Sequence, residues 1–166
     1  MPTLPKWTLR PEDASDLDFL RGLYASTREN EEPIRRWPAA HRKKFLTLQH
    51  EAQDKHYRNQ YANAERWIVC VSGHDAGRLI INTADGDIRI VDISLLPAHR
   101  GRGLGTAILK WVFGQASAAG ATVSLSVLAG NPALRLYQRL GFKECPGGTP
   151  PYLQLKRETD VETRKN

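Results

Sequence analysis

Apolar and polar residues alternate over Trp7-Thr8-Leu9-Arg10 until Pro11 interrupts them, which predicts a short first strand. From Asp13 to about Thr27 the period changes: Ala14, Leu17, Leu20 and Leu23/Tyr24 fall at helical spacing, with acids near the start where the helix dipole favours them. Residues 28–38 are acidic, then carry Pro and Trp, and read as a loop. From about Ala39 to Asn63 the chain is polar, with Phe45, Leu48, Ala52 and His56 at threes and fours, and predicts a second helix with a narrow apolar stripe. Trp67-Ile68-Val69-Cys70-Val71 then reads as a buried strand, turned at Ser72-Gly73-His74-Asp75 into a second over Gly77 to Asn82. Asp85-Gly86-Asp87 signals another turn, and Ile88 to Leu96 a third strand of this antiparallel meander. Leu104, Ala107/Ile108, Trp111/Val112 and Gln115 give a strong helical stripe closed by Gly120, and Val123 to Val127 a further strand. Asn131-Pro132 opens a short helix whose apolar side carries Ala133, Leu136/Tyr137 and Leu140, stopped at Gly141. Phe142 to Glu144 and Tyr152 to Leu155 are the closing strands.

The order β-α-α-β-β-β-α-β-α-β-β predicts an α+β, mixed α/β architecture: a central mixed sheet of six to seven strands with helices on both faces. The strands on either side of the third helix form a crossover and should run parallel. A single domain over residues 1–157 is expected, followed by a charged, disordered tail over 158–166.

Composition narrows the function. A chain of 166 residues can bury a core without disulfides or metal, and its two cysteines, Cys70 and Cys145, sit in no CxxC or Cys/His cluster, so no metal site is expected. Neither a secretory leader nor an apolar run of membrane-spanning length is present, so a cytoplasmic protein without a membrane partner is expected. The formal net charge of +6 would draw an anionic partner. Charge alone does not choose among nucleic acid, a membrane surface and a polyphosphate ligand. The basic run from Arg35 to Lys44 contains one aromatic, Trp37, and no nucleic-acid motif, so it reads as a solvated face and no nucleic-acid partner is expected.

The informative segment runs Ile93-Ser94-Leu95-Leu96-Pro97-Ala98-His99-Arg100-Gly101-Arg102-Gly103-Leu104-Gly105-Thr106. A strand enters a turn rich in glycine and arginine that becomes the start of a helix, where unpaired N–H groups and the positive end of the dipole suit a phosphate. Glycine lets a ligand approach the backbone and arginine adds charge at the rim. A Walker A loop fails, because Thr106 stands where its second glycine is required. The dinucleotide GxGxxG fingerprint fails at the same residue.

What remains, Arg-x-x-Gly-x-Gly spelled by Arg100, Gly103 and Gly105, resembles the acetyl-coenzyme A signature of the GNAT superfamily of N-acetyltransferases. A second segment, Asn131 to Phe142, is similar to the family's Asn-x-x-Ala-x-x-Leu-Tyr-x-x-x-Gly-Phe block: Ala133, Leu136, Tyr137, Gly141 and Phe142 match in register, and Asn131 stands one residue closer to the alanine. The resemblance covers Ile88 to Phe142 well, Trp67 to Asn82 by topology, and the first 65 residues hardly at all.

The resemblance implies a three-layer GNAT-like fold and transfer of acetyl from acetyl-CoA to an amine. It assigns the diphosphate to the amides of Arg100, Gly101, Arg102, Gly103, Leu104, Gly105 and Thr106. The pantetheine arm falls to the main chain of Leu95 and Leu96, and Asn131 is either a pantetheine contact or only a helix cap. Tyr137 becomes the general acid for the departing thiolate, since a phenol stays protonated at neutral pH. The base is less marked: family members carry a glutamate on the preceding strand, and here Asp92 interrupts Ile90-Val91-Asp92-Ile93, with His99 and water as alternatives. Direct transfer is expected, because no Cys–His or Ser–His pairing is suggested. The acceptor is expected to be a primary amine on a small molecule. Glu29, Glu31 and Glu32 are candidate cation attractors, Arg35 or Arg36 would suit an amino-acid acceptor, and His56, Tyr57 and Tyr61 are candidate pocket residues, although surface or packing roles fit each. An acetyltransferase of protein or peptide amines, or a non-catalytic acyl-CoA-binding regulatory module, would share the pattern, and homodimers are common in the family.

Overall fold

The computed structural model describes residues 3–159. Its elements are β1 (Trp7–Pro11), α1 (Leu17–Arg28), α2 (Ala39–Gln60), β2 (Glu65–Val71), β3 (His74–Ala84), β4 (Asp87–Leu95), α3 (Leu104–Ala119), β5 (Thr122–Leu128), α4 (Leu134–Arg139), β6 (Lys143–Cys145) and β7 (Tyr152–Arg157). The seven strands form one mixed sheet in the order β1-β2-β3-β4-β5-β7-β6, and the pair β4–β5 is parallel, as the crossover through α3 requires. The expected tail lies outside the described residues from position 160 on, while Thr159 hydrogen-bonds the Ala121 carbonyl. By contacts the chain forms two compact units, Met1–Ile80 with Asp92–Leu104 and Ile81–Val91 with Gly105–Asn166.

In the first unit β1 pairs antiparallel with β2, Trp7 opposite Val71 through Pro11 opposite Trp67. Entry to α1 is fixed by a capping box: Asp13 accepts the Ser15 N–H at 2.8 Å, while Asp16 accepts the Asp13 N–H at 2.9 Å and Arg10 Nη2 at 2.6 Å. A short 3₁₀ turn, Ala14–Asp16, therefore precedes the helix, and α1 starts at Leu17 rather than at Asp13. Leu20 and Leu23 pack with Ile68 and Cys70, and Phe19 and Leu96 close over them. The expected loop over 28–38 contains one 3₁₀ turn, Ile34–Arg36, anchored by buried Ile34.

Helix α2 corrects the predicted stripe. Leu48, Ala52 and His56 are exposed, and Phe45 is half-buried with its ring edge-on to Trp37 at 5.0 Å. The inward side is instead Leu46, His50, Gln53, Asp54 and Tyr57. Hydrophobic periodicity pointed to the wrong face because the buried face of this helix is mostly polar.

In the second unit Asp85 and Gly86 both have positive φ, 53° and 72°, which gives a two-residue hairpin turn between β3 and β4. Asp87 through Ile90 pair in register with Thr122 through Leu125. Helix α3 buries Ile108, Leu109, Val112 and Ala116, and Gln115, expected in the stripe, is exposed. Phe142 is buried with Phe113 and Tyr137 each 5.7 Å from its ring. Both cysteines are free: Cys70 is buried and Cys145 half-buried. No helix among the described residues is long and apolar enough to cross a membrane.

Candidate active site

The glycine-rich turn begins where β4 ends. Leu96 N–H donates to the Ala76 carbonyl at 2.8 Å, Pro97–His99 form one 3₁₀ turn, and Arg100 is extended at φ −85°, ψ 153°. Gly101 and Gly103 have φ of 70° and 87°, in the left-handed region that costs a residue with a Cβ roughly 1–2 kcal/mol. Among the described residues, its chain neighbours apart, nothing lies within 4 Å of a Cβ placed on Gly101, so there the demand for glycine is conformational. Residues 101–103 are exposed, and buried Leu104 begins α3, whose first four N–H groups have no partner within the helix. The turn therefore presents backbone donors to solvent at the positive end of a sixteen-residue helix.

Arg100 is placed differently from its neighbours. Its N–H donates to the Pro97 carbonyl at 3.2 Å, its Nε to the Leu95 carbonyl at 2.8 Å, and its Nη2 to Ser26 Oγ at 3.3 Å. Both its amide and its side chain are hydrogen-bonded to neighbouring segments, and Arg100 and Arg102 are both exposed. Close backbone approach also requires Gly77: a Cβ there would stand 2.3 Å from the Ser94 carbonyl oxygen. The parallel pairing of β4 with β5 reaches Ile90, and β4 continues through Val91 to Leu95, with Leu95 and Leu96 half-buried.

Asp92 lies in a polar layer that the sequence did not reveal. Its Oδ2 accepts Arg78 Nε at 2.9 Å, and Ser94 Oγ donates to its Oδ1 at 3.0 Å. The Arg78 side chain is only 4% exposed, and its Nη2 donates to Gln53 Oε1 at 3.1 Å. Beside it Asp54 bonds Arg66 and accepts Arg58 Nε at 2.8 Å, and Glu12 Oε1 accepts both arginines at 3.3 Å. Burial pushes the Asp54 carboxyl up, but the Arg58 hydrogen bond and the charges of Arg66 and Arg58 outweigh it and hold the group below the ordinary value. His50 is 2% exposed, and burial followed by the Arg78 charge pushes its imidazole down. Arg78 Nη1, Glu12 Oε2 and both His50 ring nitrogens are buried without a hydrogen bond among the described residues.

In the second unit, Asn131 is exposed and its Oδ1 accepts the Ala133 N–H at 2.9 Å, so its side chain caps the turn into α4. Tyr137 is half-buried on α4, its ring edge-on to Phe142, and Gly141 at φ 95° returns the chain to β6. The remaining acceptor-side candidates are dispersed. Glu31 pairs with Arg28 at 3.1 Å, Glu32 with Arg35 and Arg36, His56 is exposed, and the Tyr57 ring lies 6.0 Å from the Arg78 guanidinium. Tyr61 is half-buried beyond the end of α2. Glu29 lines a cavity of about 600 Å³ between α1 and α2, together with Gly22, Arg42 and Leu46.

Comparison with known proteins agrees with this geometry. The fold matches the PaiA N-acetyltransferase of Thermoplasma acidophilum, solved in complex with coenzyme A, at a TM-score of 0.69 and 12% identity, covering 92% of this chain and 99% of that one. It also matches the ribosomal-protein-S18-alanine N-acetyltransferase of Escherichia coli at a TM-score of 0.61 and 20% identity, over 97% and 99% of the two chains. A chimera of the spermidine N-acetyltransferase SpeG from Vibrio cholerae with hSSAT matches at 0.62 and 18% identity, over 92% and 95%. No curated protein sequence matches the chain. The family model described as the Acetyltransferase (GNAT) family matches residues 24–142, and the chain belongs to that family, whose acyl donor is acetyl-CoA.

Proposed function

We propose that the protein transfers an acetyl group from acetyl-CoA directly to a primary amine of a small molecule. The observation that carries the reading is the turn at Gly101 and Gly103, which opens exposed backbone donors at the N-terminus of α3. When bound, acetyl-CoA supplies an activated thioester. The amides of Gly101 through Thr106 hold its diphosphate, Arg102 adds charge, and Arg100 keeps the turn in shape through Leu95 and Ser26. The stretch of β4 beyond Ile90 offers main chain to the pantetheine arm, with Leu95 and Leu96 at its end. Asn131 shapes the turn that precedes α4 by accepting the Ala133 N–H.

An alkyl ammonium with a reference pKa of about 10.4 must lose a proton before it can attack. Asp92 receives that proton at its carboxylate, directly or through one water, and Ser94 keeps the carboxylate oriented. Tyr137 gives its phenolic proton to the sulfur of the leaving thiol. No enzyme nucleophile takes part: Cys70 is buried, and its thiol is pushed up by burial and by the Asp75 charge.

The test is a thiol-release assay with acetyl-CoA across a panel of diamines, amino acids, aminoglycosides and peptide amines, run beside calorimetric titration of coenzyme A. Micromolar binding with turnover on a small amine supports the proposal. Turnover on peptides alone redirects it, and binding without turnover on any amine leaves only a ligand-sensing module. Absence of coenzyme A binding overturns it.

A further inference from the structure

The polar layer beneath α2 holds one short pair set apart by its burial. Glu12 and Asp54 are matched within the layer by Arg58 and Arg66, all four within hydrogen-bonding reach of an opposite charge. Arg78 makes its close ion pair with Asp92, with side chains 4% and 16% exposed and Nε 2.9 Å from Oδ2, and a longer one with Asp54. An arginine keeps its charge in a protein, and its planar fork fixes the direction of the carboxylate it meets.

We propose that Arg78 is a positioning residue of this reaction, fixing the direction of the Asp92 carboxylate while tying it to α2 through Gln53. The inference rests on the reading of Asp92 as the proton acceptor. One guanidinium engages β4 by Nε and α2 by Nη2, with Nη1 3.6 Å from Asp54 Oδ1 and the Tyr57 ring 6.0 Å away. No lysine could make the first two bonds together in this geometry, because its three donors share a single nitrogen. Burial of Arg78 also leaves Nη1 without an acceptor at hydrogen-bond distance. Replacing a buried ion pair by apolar side chains is often neutral or stabilising, so this pair with its unmet donor adds little to stability. The charged and titratable groups facing the pair are Glu12, His50, Asp54 and Arg66, with Tyr57 on the same helix as His50 and Asp54.

The experiment follows kcat and KM separately in the full chain with the most active amine of the panel. In Arg78→Met kcat should fall at least tenfold with KM little changed. Arg78→Lys keeps a cation and should still lower kcat through lost orientation. If Arg78→Met does not fold, the charge-neutral double variant Arg78→Met/Asp92→Asn replaces it, and should regain native stability without regaining turnover. A native kcat in Arg78→Met, or native turnover in the double variant, overturns the inference. Native kinetics in Asp92→Asn alone would instead remove Asp92 as the proton acceptor, and with it the reading on which the inference rests.

Discussion

Tyr137 stands on a six-residue helix whose position is set by what surrounds its ring and its backbone. Its N–H reaches the Ala133 carbonyl at 3.0 Å, its own carbonyl accepts the Leu140 and Phe142 N–H groups at 3.1 Å, and its ring meets the edge of Phe142. A phenylalanine keeps that ring contact and removes only the hydroxyl. General acid catalysis contributes about 10²–10⁴ in rate, so Tyr137→Phe should lower kcat by roughly a hundredfold at neutral pH while calorimetry finds coenzyme A affinity unchanged. An unaltered kcat across neutral to mildly alkaline pH would assign the leaving-group proton to water or to another residue. Arg100 makes the opposite point at this scale. Its amide was expected at the phosphate and its charge at the rim, and its side chain bonds the Leu95 carbonyl and Ser26, a partner 74 residues distant that no local pattern announces.

At the scale of elements, two glycines should respond in opposite directions. Gly103 is held at φ 87°, where alanine costs about 1–2 kcal/mol, so Gly103→Ala should destabilise the fold by that amount and weaken coenzyme A binding at least tenfold by reshaping the turn. Gly22 lies inside α1 with nothing within 4 Å of the position a Cβ would take, so Gly22→Ala should stabilise by about 1 kcal/mol, raising Tm by about 2–4 °C in differential scanning calorimetry. The order of strands and helices was legible in the sequence because apolar spacing and turn glycines specify it locally. The Ser72-Gly73 and Asp85-Gly86 turns, all four residues at positive φ, lie where the composition indicates. The glycine-rich turn after β4 was legible for the same reason. The inward face of helix α2 was not, since a face built from His50, Gln53, Asp54 and Tyr57 looks solvent-directed until Arg66 and Arg78 arrive from β2 and β3 to meet it. The family model reaches back to Tyr24, well before the segment in which motifs could be matched by eye.

For the whole molecule, the buried histidine sets how stability depends on acidity. Burial and the nearby Arg78 hold the His50 midpoint below its ordinary value of 6.5, with Arg21 opposing its charge and Asp54 and Glu51 partly favouring it. Between that lowered midpoint and about 6.5 the unfolded chain binds a proton that the native chain refuses, so stability is full above this window and declines as pH falls through it. Urea unfolding at pH 7, 6 and 5 should show this loss, and His50→Leu should flatten it. Asp16, held low first by its Arg10 hydrogen bond, and Asp54 lose their contributions only at lower pH, below about 3.8. The two thiols offer a different view of the same equilibrium. Cys70 is packed with Leu20, Leu23 and Ile68, and Cys145 is partly open, so an aromatic disulfide reagent should modify Cys145 promptly and Cys70 only when the α1–β2 core opens. The slow phase of that labelling would clock spontaneous opening in the absence of denaturant, and the fast phase sets the background that must be subtracted before any liberated coenzyme thiol is counted.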